Sequence, residues 1–347
     1  MKNGKLKPAA FKILAVALSL AAVLTVLEIA ARTLLNTRHE KFSNRSDIYF
    51  SNPRGYHVLL GRAGNDPVYG LPYYGTPEGF RLPDRDRPDV KNLPEYPPNV
   101  LVLGDSFTFG RGVRYEDSYP FLLEKGLRKS HPKAAVSNRG KVGANISDVL
   151  QILDYSLKDG PFPLVIYGFV LNDFGLDKNR FPIVGPDFID QNNGGFSYSP
   201  LRAHFALYDF LMNRIDRKRL SQVTTKAYLE SFTGQRAEVG FAALSAIDST
   251  VSVQGGRLAV ALFPLLYDFQ NYPFSEIHKK IEMFCREKGI LLIDLLPAFR
   301  ACRAEDLWVH PTDHHPNELG HKIAADEILR FLLSKEAEGR LALPGAS

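Results

Sequence analysis

The chain has 347 residues, 45% of them hydrophobic and 23% charged, with a formal net charge of +5. This length and composition exclude general disorder and allow one large domain plus appendages. The small positive excess lies partly at Lys2, Lys5, Lys7 and Lys12, and no basic run interleaved with aromatics supports binding to nucleic acid.

The first element is apolar. Residues 13–27 ("ILAVALSLAAVLTVL") carry no charge, and the span extends from Phe11 to Ala31 with Lys12 and Glu28 near its ends. About 20 apolar residues cross a bilayer core of roughly 30 Å. A retained single-pass anchor is the favoured reading. A cleaved signal peptide and a buried core helix are its rivals. The lysines ahead of it place the N-terminus in the cytoplasm and the bulk of the chain outside. Residues 33–97, rich in Pro, Gly, Asn and Tyr, read as a spacer and packed leader.

From Asn99 a regular alternation begins. Strands are predicted at 99–104, 133–140, 163–170, 256–264 and 290–296. Helices are predicted at 115–130, 146–157, 274–289 and 317–335. Buried strands alternating with helices specify a doubly wound, flavodoxin-like fold, three layers (α/β/α) around a parallel five-stranded sheet. The expected organisation is an anchor at 1–32, a leader at 33–97 and a main domain at 98–340, with an aromatic and basic insertion at 174–235. Loops on a rigid sheet carry specificity, so that insertion reads as a lid, a pocket wall or ordinary packing.

Sites in such folds lie beyond the carboxyl ends of strands, here after residues 104, 138, 170, 264 and 296. After the first strand stands Gly104-Asp105-Ser106, where Ser106 reads either as a helix cap or as a nucleophile. The second strand runs into "NRGKVGANISD" (138–148), where Gly140 and Gly143 permit a tight turn with a free N–H. The third leads to Asn172-Asp173, an oxyanion donor or an Asx turn. Before the last helix stands "PTDHHPNELGHKIAAD" (311–326), read as one loop. There Asp313 can fix the tautomer of His315, while His310, His314 and His321 read as solvated or capping. A metal site on His310, Asp313, His314 and His315 is the weaker rival, because no carboxylate cluster supports it. Cys285 and Cys302 form no Cys-x-x-Cys pair and read as two separate thiols.

The order Ser, Gly, Asn, His, with "GDSFTFG", N-R-G-x-x-G, G-x-x-x-N-D and D-x-H-P-N-x-x-G-H, resembles the SGNH (GDSL-type) esterase and acyltransferase superfamily over roughly residues 98–335. "EGFRLPD" (78–84) is similar to the leader of membrane-anchored members. The resemblance implies Ser106 as nucleophile and His315 as general base, oriented by Asp313. It implies an oxyanion hole from the Ser106 and Gly143 backbone N–H groups and the Asn172 amide, with no metal and no cofactor. The commoner spacing is Asp-x-x-His, and here that position is Thr312. The expected protein is an extracytoplasmic, membrane-anchored serine esterase acting on acyl esters, acetyl above all, of a glycan or lipid. The alternatives are an O-acyltransferase on cell-envelope polysaccharide and a non-catalytic glycan-binding protein.

Overall fold

The computed structural model describes residues 8–34, 50–51, 57–58, 64–65, 72–83, 95–174, 204–208, 211–212, 225–310 and 313–345. The chain divides into two compact units, residues 1–42 with 186–224, and residues 43–185 with 225–347.

The first unit is built on helix α1 (Pro8–Leu34). Its Ala10–Thr33 stretch is long and apolar enough to cross a membrane, with a mean hydropathy of 2.5. Twenty-four residues at the helical rise span about 36 Å, against roughly 30 Å of hydrocarbon. Near its end Glu28 accepts the backbone N–H groups of Ala206 and Leu207 at 2.8 and 2.9 Å. Arg32 donates to the same carboxylate at 2.7 Å. Part of the predicted insertion therefore folds with the N-terminal helix. Residues 175–203, 209–210 and 213–224 of it lie outside the described residues.

The second unit includes leader strands β1 (Pro72–Gly75) and β2 (Arg81–Leu82), which pair antiparallel. Then come β3 (Val100–Gly104), the short helix α2 (Ser106–Phe109), α3 (Tyr119–Leu127), β4 (Val136–Gly140), α4 (Ile146–Ser156) and β5 (Leu164–Val170). After the insertion follow α5 (Gly234–Val253), β6 (Arg257–Phe263), α6 (Ser275–Lys288), β7 (Leu291–Asp294) and α7 (Leu296–Phe299). The hairpin β8 (Trp308–His310) and β9 (Asp313–Pro316) leads into α8 (Glu318–Ala337).

The central sheet has the order β7-β6-β5-β3-β4 and is parallel throughout. Residues 100–104 and 164–170 are all buried, which accounts for their unbroken apolar runs. From β3 the chain moves one way to β4 and then back across to β5, so the switch point lies between β3 and β5. Ser106 and Asn172 follow those two strands.

Three glycines share one level of the sheet, Gly104 paired with Gly140 on one side and with Gly168 on the other. A Cβ on Gly104 would stand 2.7 Å from the Gly168 carbonyl and overlap the Thr108 hydroxyl. One on Gly140 would stand 2.5 Å from the Thr108 carbonyl carbon and overlap the Phe109 nitrogen. One on Gly168 would overlap the Tyr119 hydroxyl. With no Cβ at these positions, helix α2 lies directly on the sheet.

Two features differ from the sequence expectation. Helix α5 was not predicted, because its apolar residues are diluted by Gly, Ala, Ser and Thr into a weak stripe. The segment carrying His315 is a strand of a hairpin rather than a loop.

Candidate active site

Asp105 ends the loop between β3 and α2. Its Oδ1 accepts the Phe107 N–H at 2.8 Å, capping the helix. Ser106 is therefore the first residue of α2, where a backbone N–H has no acceptor within the helix. Its Oγ stands 2.7 Å from Nε2 of His315. The Asp105 carboxylate is 3.5 Å from the same oxygen, beyond the usual length of such a bond. Ser106 donates to the imidazole when His315 carries its proton on Nδ1.

Asn172 lies in the turn after β5, and its Nδ2 donates to Asp105 Oδ2 at 3.2 Å. An amide carries two N–H groups, and this bond uses one of them. Asp173 is fully buried, taking the Tyr167 hydroxyl at 2.8 Å and the Val170 N–H at 3.2 Å. Burial pushes its carboxyl well above the usual range, and the neighbouring Asp105 charge adds to this. Burial likewise raises Asp105.

The loop after β4 is held by Asn138, whose side chain donates to Thr108 O at 3.0 Å and accepts from Gly140 N–H at 2.9 Å. Lys141 N–H binds Gly104 O at 3.0 Å. Gly143 has φ +74, and a Cβ there would meet nothing within 4 Å. The space above this turn is open. The strand before it, Val136–Gly140, ends where predicted and starts three residues later than the predicted 133.

The hairpin carrying His315 is fixed from several sides. Trp308 donates its indole N–H to Leu266 O at 2.8 Å and stacks on His314, with ring centroids 3.9 Å apart. Phe107 packs against the His315 ring at 5.4 Å. Asn317 caps α8 through the Leu319 and Gly320 N–H groups, both at 3.1 Å, and donates to Asp306 O. Gly320 lets Pro316 approach, since a Cβ there would be 2.9 Å from the proline ring. The backbone of Asp313 pairs with His310. The side chains of Asp313 and His310, and all of Thr312, lie outside the described residues. Among the described residues no group of three His, Cys, Asp or Glu side chains gathers for a metal. Cys285 and Cys302 are free.

A family model described as the GDSL-like lipase/acylhydrolase family matches residues 102–323. The chain belongs to that family. Three solved structures are similar to this hydrolase. One is titled TesA (13% identity, TM-score 0.44, covering 67% of this chain and 97% of its own). The second is a catalytic mutant of Axe2, an acetylxylan esterase from Geobacillus stearothermophilus (15%, 0.42, 69% and 95%). The third is the acetyl xylan esterase AlAXEase (16%, 0.43, 67% and 99%). No curated relative matches the sequence.

The GDSL-like match makes the chain an ester-bond hydrolase. His321, expected to be solvated or capping, is not solvated. It is fully buried, its Nδ1 accepts the Tyr119 N–H at 3.3 Å, and its ring stacks on Tyr119. Burial pushes its imidazole down to about 3 from an ordinary 6.5. Folded His321 thus stays neutral while the unfolded chain protonates below about 6.5. The unfolded state then binds more protons, so stability falls as pH drops from 6.5 towards 3, by about 1.4 kcal/mol per unit at most. His321→Asn keeps an acceptor for Tyr119 and is expected to flatten the fall of the urea midpoint between pH 6.5 and 4. An unchanged slope would assign acid sensitivity to other groups.

Sequence reasoning missed Asn138, Trp308 and the leader residues Tyr73 and Arg81. Their contacts to Thr108, Leu266, Gly112 and Val113 are distant in sequence, which no local pattern signals.

Proposed function

We propose that the chain is an extracytoplasmic serine esterase, anchored by α1, that removes acyl groups, acetyl above all, from a glycan or lipid. The observation carrying this reading is the 2.7 Å approach of Ser106 Oγ to His315 Nε2 at the carboxyl edge of the sheet. Family membership supports the acyl ester, and the four lysines before the apolar helix support an outside catalytic unit.

In this mechanism His315 takes the Ser106 proton as Oγ attacks the ester carbonyl. The carbonyl oxygen becomes an oxyanion held by the Ser106 and Gly143 N–H groups and the Asn172 amide. The C–O bond to the alcohol breaks, and His315 returns its proton to the leaving oxygen. Water, deprotonated by His315, then attacks the acyl-enzyme, the acyl C–Oγ bond breaks, and His315 returns the proton to Ser106 Oγ as the acid leaves. Asp313 orients His315.

The test is hydrolysis of p-nitrophenyl esters of increasing acyl length by the full chain in detergent. Release is expected, greatest for acetate, and no release from any ester would overturn the reading. Added acetylated or free oligosaccharide distinguishes release of acid from transfer to sugar. Asn172→Ala removes one oxyanion donor and is expected to lower kcat about 10²–10³-fold with little change in KM. A kcat equal to wild type would remove Asn172 from the oxyanion hole.

A further inference from the structure

The leader that precedes the family match packs into the site. Arg81 is buried, 2% exposed, and its guanidinium points at the carbonyl end of helix α2. Nη1 donates to Phe109 O at 3.2 Å and also to Gly110 O, while Nη2 donates to Val113 O at 2.6 Å. The guanidinium lies over the Tyr73 ring, 4.3 Å from its centroid. The Tyr73 hydroxyl accepts the Gly112 N–H at 3.0 Å. A helix of four residues has almost no hydrogen bonds of its own, so its last carbonyls need outside donors.

The segment held this way touches Ser106 and the hairpin that presents His315. Gly110 and Arg111 donate their N–H groups to Ser106 O, each at 3.1 Å. On the other side Gly112 lies against Val309 in β8, so closely that a Cβ would be 2.7 Å from its methyl carbon. Val309 belongs to the hairpin that presents His315.

We infer that Arg81 and Tyr73 are positioning residues, which set the Ser106–His315 approach by clamping residues 110–113. This rests on the hydrolase reading above. The functional core of the enzyme then begins in the leader, upstream of the first sheet strand. A misplacement of about 1 Å between reacting groups costs on the order of 10²-fold in rate. A clamp that positions reacting groups, rather than binding substrate, changes kcat and leaves KM in place.

The experiment uses the full chain with p-nitrophenyl acetate. Arg81→Ala is expected to lower kcat about 10²-fold with KM unchanged. Millimolar methylguanidinium is expected to restore much of that loss, which it would not do for a generally loosened fold. Tyr73→Phe, which keeps the ring and removes only the acceptor for Gly112, is expected to lower kcat less. Amide exchange at Gly110 and Arg111, slow in wild type, should quicken in both variants. A folded Arg81→Ala with wild-type kcat, or a loss untouched by methylguanidinium, would overturn the clamp. Should Arg81→Ala fail to fold, Tyr73→Phe decides, and wild-type kcat there overturns it. A wild-type chain inactive on every ester defeats the hydrolase reading instead, and the clamp is then judged by the exchange rates alone.

Discussion

Ser106→Ala is expected to lower kcat for ester hydrolysis on the order of 10⁶-fold, the scale seen when a serine nucleophile acting with a histidine is removed. His315→Ala should lose about as much. The informative measurement is the double variant. Oγ and Nε2 stand 2.7 Å apart, and in the proposed mechanism one proton passes between them, so each would be ineffective without the other. Ser106→Ala combined with His315→Ala should therefore be no slower than either alone. Losses that multiply would mean that the two residues act separately and that the pair is not the catalytic unit. Residual activity above water is expected in all three, because the oxyanion donors remain.

The largest effect on stability is expected at Gly140→Ala. The added methyl would overlap the Phe109 nitrogen and press on the Thr108 carbonyl carbon, both backbone atoms of α2. Backbone cannot rotate away as a side chain can, so either α2 rises from the sheet or β4 shifts. Overpacking of this kind costs about 3 kcal/mol, which lowers Tm by roughly 6–12 °C in a domain of this size. Because α2 carries Ser106, kcat should fall with it. Gly143→Ala is the control. Its Cβ would meet nothing within 4 Å, and only the φ of +74 opposes it. About 1 kcal/mol is expected there. Thermal melts of the two variants check this, and equal shifts would show that α2 does not rest on the sheet as closely as described.

Much of the fold was readable in the sequence because burial is written in it directly. The runs at 100–104, 164–170 and 258–263 are apolar on both faces, as strands covered by helices must be. Ser106 and Asn172 could be singled out because each follows a predicted strand, and His315 because it stands just before the last helix. Other parts were hidden for specific reasons. Helix α5 shows no sharp apolar stripe, and His321 looks polar but is held neutral inside the core. Arg81 lies in a leader whose composition suggests a loop, and its three carbonyl partners begin 28 residues downstream. Such contacts appear only once the chain is folded.

The distance along the chain between Ser106 and His315 has a consequence in time. They are separated by 209 residues. At a synthesis rate of about 5–20 residues per second, the histidine emerges roughly 10–40 s after the serine. Hairpin β8–β9 and helix α8 must then pack before the imidazole reaches Oγ. In the proposed mechanism the nascent chain would carry its nucleophile without a base for most of its synthesis. Ester cleavage would begin only when the C-terminal elements had docked, a built-in delay between translation and activity.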